Sequence, residues 1–180
     1  MTAEPTDNVA AWLREVMDHH EGPLLRYAER ILGDADRGRD VVQETFMRLL
    51  ESDRNFDSGH LVQWLFTVCR NRCLDIHRKE RRMTPLSEHT ERTRASSEPA
   101  PDDVASGREQ AVRVTSAMSA LPPSQQEVLR LRFQNGLSYK QIAGVTSLSV
   151  SNVGFLIHTA IQRLRKRFGV SSSGRDGEMQ

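Results

Sequence analysis

The sequence has few of the residues that cross-link a protein or anchor it in a membrane. It has two cysteines in 180 residues, too few for a disulfide framework, and aromatic residues make up only 6%. No apolar run approaches the roughly 20 residues of a membrane span, and the N-terminus is acidic, unlike a secretory leader. Strand-like alternation is rare. We therefore expect an all-α, cytoplasmic protein of one or two small domains, without direct membrane insertion.

Charge is abundant, and its signs are segregated along the chain. Residues 1–61 carry 7 cationic and 13 acidic side chains, whereas residues 62–82 carry 6 and 2. Residues 83–110 carry 3 and 6, and residues 111–180 carry 9 and 3. Two basic blocks separated by acidic ones predict two contacts with a polyanion, and an acidic surface that is kept away from the polyanion or offered to a basic partner.

The first half of the chain has apolar residues at helical spacings of three and four. The pattern predicts helices over residues 9–33, 36–52 and 61–82, with Gly22-Pro23 interrupting the first and Asp34 or Asp36 capping the second. The third helix begins apolar and ends basic. Trp64 lies in its apolar stripe, so we expect this ring to be buried rather than stacked on a base.

Residues 84–108 contain three prolines, many small polar residues and little that could fill a core, which predicts a flexible linker. We expect a first domain over residues 1–83, an acidic linker over 84–110, a second domain over 111–169 and a disordered tail over 170–180.

The stretch from residue 121 to residue 168 predicts three short helices with two breaks. The residues that mark helix starts and stops are Ser124 with Glu127, Asn135-Gly136, Ser138 with Gln141, and Ser149. A short helix, a tight turn and a longer helix make a helix-turn-helix, whose second helix lies in the DNA major groove. The alternative is a helical hairpin that only packs.

Cys69, Cys73 and His77 recur every four residues, a spacing that suggests a metal site. Three ligands on one helix would still need a fourth group, and a rigid helix resists disulfide geometry. We therefore expect buried thiols and no metal.

Three motifs in order resemble those of bacterial sigma factors of the small two-domain type, the extracytoplasmic-function sigma factors. They are DVVQETF at 40–46, WLFTVCRNRCLD at 64–75 followed by a basic helix end, and LPP at 121–123 before the helix-turn-helix. The resemblance covers about residues 20–82 and 111–168. It implies a protein that is not an enzyme, uses no cofactor or small-molecule substrate, binds core RNA polymerase and promoter DNA, and opens the duplex.

The resemblance implies that the DVVQETF helix binds a basic coiled coil on the largest polymerase subunits. The implied contact residues are Asp40, Val41, Gln43, Glu44 and Phe46. Carboxylates facing arginine form strong charge-assisted hydrogen bonds, which suits the acidic members of this set. Val41 or Val42, Phe46 and Leu49 also fit a core. The alternative is a solvated acidic face.

The first domain is expected to hold the −10 promoter element. The implied residues are Asn55, Phe56 and Asp57 in a specificity loop, and Arg70, Asn71, Arg72, Arg78 and Lys79 on the strand-binding face. The loop would stabilise a flipped base, and the cations would neutralise phosphates.

The second domain is expected to bind the −35 element through the helix that starts near Val150. The implied residues are Lys140, Ser151, Asn152, Phe155, His158, Arg163 and Lys166. Asn can bond adenine through two hydrogen bonds, and an aromatic ring can touch a thymine methyl. Relatives usually place several cations in the first turns of this helix, whereas this chain has Gly154-Phe155-Leu156, so its −35 contacts depart from the family pattern.

The resemblance also implies an anti-sigma protein as a partner, and an acidic linker that enters the active-site channel, for which a plain solvated tether is the alternative. Two other functions fit the residues: a free-standing helix-turn-helix regulator that binds operator DNA as a dimer, and a sigma-like adaptor without initiation activity.

Overall fold

The computed structural model describes residues 5–52, 58–83 and 105–169, and every regular element in these ranges is an α-helix. The helices are α1 (Pro5–Leu32), α2 (Ala35–Glu51), α3 (Ser58–Met83), α4 (Ala105–Ser119), α5 (Pro123–Phe133), α6 (Tyr139–Thr146) and α7 (Val150–Arg167). They form two compact units: the first contains α1–α3 and the segment Gly144–Ser147, and the second contains α4, α5, the start of α6 as far as Ala143, and α7. The expectation of an all-α protein is confirmed.

The first unit is a three-helix bundle in which each helix packs on the other two. Its largest fully buried side chains include Leu24, Leu49, Leu65 and Phe66. The rings of Tyr27 and Phe66 meet edge-on with centroids 5.2 Å apart, which ties α1 to α3. This packing fixes the rotation of α2 and α3, and therefore which of their residues face outward.

The first helix runs through Gly22-Pro23, so the predicted interruption there is wrong. Proline removes one backbone donor and disfavours a helix interior by about 3 kcal/mol. The apolar residues Val16, Leu24 and Ala28, on both sides of Gly22-Pro23, are nevertheless buried. Their shared burial outweighs the local preference.

Local signals at α2 act as expected. Asp34 is its N-cap, and one side-chain oxygen accepts from the backbone N–H groups of Asp36 and Arg37 at 2.9 and 3.0 Å. Gly38 permits close approach of α1, because a Cβ there would lie 3.1 Å from the backbone nitrogen of Glu29.

The start of the second unit differs from the prediction. Helix α4 begins at Ala105, inside the stretch predicted as linker, and residues 84–104 and 170–180 lie outside the described residues. Helix α5 starts at Pro123 without a side-chain cap, so the predicted capping box of Ser124 and Glu127 is wrong. Proline is favoured at this position because its missing N–H needs no partner there. The domain boundaries stay a prediction.

The helix-turn-helix is formed by α6 and α7, which meet at 103° across a three-residue turn, Ser147 to Ser149. Ser138 and Gln141 form the predicted capping box, with Ser138 N donating to Gln141 Oε1 at 2.7 Å and Gln141 N donating to Ser138 Oγ at 3.2 Å. Gly136 adopts a φ of 70° and ends the preceding helix, and Ser147 takes a φ of 58° in the turn.

Taken singly, none of the helices in the described ranges has both the length and the apolar character to cross a membrane; α6 and α7 meet that test only as a bent pair, by length and composition.

Candidate functional site

One face of α2 presents the predicted acidic contact residues. Asp40 and Gln43 are exposed and Glu44 is half-buried, whereas Val41 and Phe46 are only 1% and 5% exposed. A side chain buried to that degree cannot reach a partner, so the assignment of Val41 and Phe46 as contact residues is corrected. They belong to the core that holds the acidic face in place.

Met47 lies on the same face and was missed by the sequence reasoning. Its side chain is 53% exposed, one helical turn after Gln43. Methionine is enriched at protein interfaces because its flexible, polarisable side chain adapts to a partner. The available signal was its helical spacing, seven residues after Asp40 and four after Gln43.

Glu44 is paired inside the protein. Arg48 Nη2 donates to Glu44 Oε1 at 2.7 Å, one turn along α2. Arg72 of α3 places its Nε 2.5 Å from Glu44 Oε2. This second pair is a contact of charges, because the same Nε is buried and has no hydrogen bond of acceptable geometry among the described residues.

The basic end of α3 presents most of the predicted −10 residues. Asn71, Arg78 and Lys79 are exposed, and Arg70 and Arg72 are half-buried. Arg78 Nη1 donates to Asp75 Oδ1 at 2.8 Å, so this cation also has a carboxylate partner in the free chain. The specificity-loop residues Asn55, Phe56 and Asp57 lie outside the described residues. Trp64 is half-buried, less enclosed than expected.

A set of polar contacts holds the basic end of α3 against the other two helices. His77 Nε2 lies 2.7 Å from the carbonyl oxygen of Ile31 at the end of α1. Glu80 forms an ion pair with Arg37 at the start of α2, and its other oxygen is 3.7 Å from His77 Nδ1. These contacts explain why His77 faces α1 rather than the two cysteines.

The two thiols are buried, as predicted. Cys69 and Cys73 are both free and fully enclosed, and among the described residues no group of three or more His, Cys, Asp or Glu side chains could hold a metal ion. The hydrogen bond between the thiols, together with burial, raises the pKa of Cys69 far above its usual range. A thiol kept protonated in this way is a poor nucleophile and a poor metal ligand.

Helix α7 turns its predicted −35 residues outward. Ser149 caps it, accepting from the backbone N–H of Asn152 at 3.1 Å. Ser151, Asn152, Phe155 and His158 are exposed, and the Phe155 side chain is 66% exposed. Val153, Ile157 and Ala160 fill the opposite, buried face. The helix therefore presents a neutral polar and aromatic surface over its first turns.

Gly154, in the unusual start of α7, lies beside the ring of Tyr139. A Cβ at this position would be 3.7 Å from the ring of Tyr139, an ordinary contact, so glycine is not required sterically. The guanidinium of Arg132 lies 5.5 Å from the centroid of the same ring, and its Nη1 donates to the carbonyl of Leu137 at 3.0 Å. Arg132 therefore holds Leu137 and Tyr139, around the start of α6, through these two contacts.

The cations predicted to bind −35 phosphates have different surroundings. Lys140 and Lys166 are exposed. Arg163 Nη1 donates to the side chain of Gln125 at 3.2 Å, which joins α7 to α5. Arg163 therefore also has a structural role, whereas the lysines project from the surface.

Known families match both halves of the chain. The Sigma-70 region 2 family matches residues 16–83, and the Sigma-70, region 4 family matches residues 111–164. The ECF RNA polymerase sigma factor SigL of Mycobacterium tuberculosis is 30% identical over 158 residues, which cover 87% of this chain and 88% of that protein. The ECF RNA polymerase sigma factor SigM of Bacillus subtilis is 27% identical over 162 residues, covering 84% and 91%.

Solved structures share the fold. The sigma factor RpoE of Bartonella quintana, in complex with the anti-sigma factor NepR, superposes with a TM-score of 0.70 at 23% identity, covering 88% of this chain and 97% of that chain. CnrH, in complex with the cytosolic domain of CnrY, gives a TM-score of 0.58 at 24% identity, covering 89% of both chains.

Proposed function

Because the chain belongs to the extracytoplasmic-function group of the sigma-70 family, we propose that three helices divide its work: α2 binds core RNA polymerase, α3 holds the −10 element and α7 reads the −35 element. The protein is a sigma factor that directs core polymerase to promoters. The assignment of its parts to helices is our proposal. One observation carries it: an acidic face on α2 and basic surfaces on α3 and α7 occur in the two regions that the family uses.

The polymerase contact is formed by Asp40, Gln43, Glu44 and Met47. Their carboxylates and amide suit a basic partner, and Met47 adds exposed apolar area to the same face. Val41 and Phe46 support this face from the core.

The −10 contact combines cations that neutralise phosphates with a loop that stabilises a base out of the stack. Arg70, Arg72, Arg78 and Lys79 bind the backbone, and Asn71 contributes hydrogen bonds. Residues 55–57 are assigned to the base pocket on their sequence alone. Stabilising the extruded base promotes melting, because leaving the stack costs a few kcal/mol.

The −35 contact uses the exposed start of α7 to read bases and the cations around it to hold phosphates. Asn152 matches the donor and acceptor pair of adenine, and Phe155 can cover a thymine methyl. Ser151 and His158 flank them. Lys140, Arg163 and Lys166 bind the backbone without reading sequence.

An anti-sigma protein is the proposed regulatory partner. RpoE of Bartonella quintana is bound to the anti-sigma factor NepR, and CnrH is bound to the cytosolic domain of CnrY. The chain is expected to act in the cytoplasm, by binding rather than catalysis and without a cofactor.

Charge reversal on α2 tests the polymerase contact. The variant Asp40→Arg with Glu44→Arg should abolish binding to purified core polymerase, because it sets like charges against a basic partner. The matched control is Asp18→Arg with Glu21→Arg, which makes the same change in net charge at exposed positions of α1. Both variants are titrated into labelled core polymerase after circular dichroism has shown native helix content.

Unchanged core affinity in the α2 variant would defeat the assignment of that face. Run-off transcription by the wild-type holoenzyme separates the sigma factor from a free-standing regulator. The proposal requires promoter-dependent transcript from the holoenzyme. Tight binding to a symmetric operator without polymerase would favour the regulator.

A further inference from the structure

Glu44 joins the two faces that the proposed function assigns to different partners. It lies on α2 among the polymerase contacts, yet its Oε2 is paired with Arg72, one of the cations assigned to DNA on α3. Its Oε1 accepts from Arg48. Both carboxylate oxygens are therefore engaged inside the protein, and a basic residue of a partner must compete with the two arginines.

Arg72 is held in an imperfect position in the free chain. Its buried Nε faces Glu44 by charge alone, and no described residue gives it an aligned hydrogen bond. A buried polar group without a good hydrogen bond is disfavoured relative to the same group in water. The side chain as a whole keeps about a third of its surface exposed, at 35%. Arg72 therefore has solvent beside it, and within the described ranges the carboxylate of Glu44 is the charged group that pairs with it.

We propose that the Glu44–Arg72 ion pair couples the two binding faces, so that a basic polymerase surface on Glu44 releases Arg72 for the phosphates of single-stranded DNA. The proposal rests on the proposed function of α2 and α3. In the free chain the ion pair keeps both residues partly satisfied and lowers the affinity of each face. The first partner to bind breaks the pair, and the second partner then meets a residue that is already free.

Coupling of this kind is reciprocal, because a change in one affinity must be matched by an equal change in the other. DNA bound to Arg72 therefore strengthens polymerase binding by the same factor. A half-exposed ion pair sets the scale at about two- to fivefold in each affinity.

The DNA half of the coupling is tested with the full chain and no polymerase. Glu44→Gln removes the carboxylate charge and should raise the affinity for a fluorescein-labelled oligothymidylate by about two- to fivefold. Removing any acid favours a polyanion, so Glu51→Gln provides the control: it makes the same charge change at an exposed position of α2. The proposal requires a larger gain from Glu44→Gln than from Glu51→Gln.

A double-mutant cycle assigns the gain to Arg72. In the Arg72→Gln background, Glu44→Gln should give no more affinity than Glu51→Gln gives in the same background, because there is no arginine to release. An excess that persists without Arg72 would overturn the coupling.

The polymerase half is tested with labelled core enzyme. Arg72→Gln frees one oxygen of Glu44 and should tighten core binding by about two- to fivefold. Arg39→Gln removes an exposed cation that is paired with Asp36 on α2, and should tighten binding less. Equal effects of the two substitutions would overturn the coupling.

The same titrations separate failure of the coupling from failure of the proposed function. If Glu44→Gln does not weaken core binding, the α2 assignment fails and the coupling fails with it. If Glu44→Gln weakens core binding but gives no excess affinity for oligothymidylate, the α2 assignment stands and only the coupling is overturned.

Discussion

Helices α3 and α7 are the two candidate nucleic-acid helices, and they differ in what surrounds their positive charge. Each ends in a cluster of cations. Helix α3 also carries Asp75, and α2 adds Glu44, so Arg78 and Arg72 of α3 both have a carboxylate partner. Helix α7 contains no acidic residue between Val150 and Arg167.

This difference predicts that phosphate binding by α3 depends on a partner, whereas phosphate binding by α7 does not. A phosphate that approaches α3 must replace carboxylates that already pair with its cations. The gain in binding free energy is therefore only the difference between a contact with phosphate and a similar contact with carboxylate. Among the described residues no carboxylate pairs with the cations at the end of α7, so a phosphate that approaches there replaces water and counterions. We therefore expect α7 to contribute most of the salt-dependent affinity, and α3 to bind strongly only after a partner has displaced its acids.

The largest expected effect is loss of stability in the first unit alone. Phe66 is 1% exposed and packs edge-on against Tyr27, so Phe66→Ala should lower the free energy of unfolding by about 3–5 kcal/mol. Both cysteines lie in α3, so thiol labelling across a denaturant series reports on this unit. Phe155→Ala makes the same chemical change at an exposed site of α7 and should stay within about 0.5 kcal/mol. Similar labelling midpoints for the two variants would contradict the assignment of Phe66 to the core.

The second effect tests the difference in charge directly. Replacing Arg165, Lys166 and Arg167 by alanine should reduce the slope of log affinity against log salt by about 2.7 for a holoenzyme bound to duplex promoter DNA, if each cation contacts one phosphate. Replacing Arg78, Lys79 and Arg82 by alanine removes the same charge from α3 and should reduce the slope less, because Asp75 already offsets Arg78. Equal changes in slope would remove the distinction between the helices.

The third effect concerns sequence readout at the start of α7. Asn152→Ala should weaken promoter binding by about 1–3 kcal/mol and relax the preference at one base pair, because a bidentate contact discriminates by that amount. The salt slope should not change. Gln162→Ala is the control, an exposed amide nearly three turns further along the same helix. Both the affinity and the base preference are measured by binding the holoenzyme to promoters varied at each −35 position. An equal loss of affinity from the two variants would count against a base contact by Asn152.

The smallest expected effect is a pH dependence confined to the first unit. Burial, with a smaller contribution from His19, lowers the pKa of His20 below its ordinary value near 6.5. The folded chain therefore binds fewer protons here than the unfolded chain at mildly acidic pH. The stability that this histidine contributes is present above pH 6.5 and is lost as the pH falls through the folded-state value. His20→Gln should flatten the fall in the denaturation midpoint between about pH 7 and pH 5, and an unchanged slope would contradict it.

The sequence predicted the parts of this structure that depend on neighbouring residues. The capping box of Ser138 and Gln141, the cap at Ser149 and the stop at Gly136 are local signals, and each is confirmed. Local signals failed where packing outweighed them, as at Pro23, or where a second signal competed, as at Pro123 before Ser124.

The candidate site was less predictable, because it depends on how helices are rotated against one another. The outward side of α2 followed from its apolar spacing, although Met47 was overlooked. The pairing of Glu44 with Arg72 joins residues 28 positions apart on different helices, and no periodicity in either helix indicates it. Which of the α3 cations have carboxylate partners could therefore be learned only from the fold.

The turn between α6 and α7 has a consequence for how the protein can evolve. The turn has three residues, Ser147 to Ser149, and they set the 103° angle between the helices. Ser147 contributes a φ of 58°, and Ser149 caps α7. Each residue of an α-helix advances by about 100°, so one inserted residue in the first turn of α7 would swing Phe155 more than a quarter of the way around the axis. Descendants of this chain can therefore acquire new promoter preferences by exchanging side chains on a frame of constant length, and hardly at all by lengthening it.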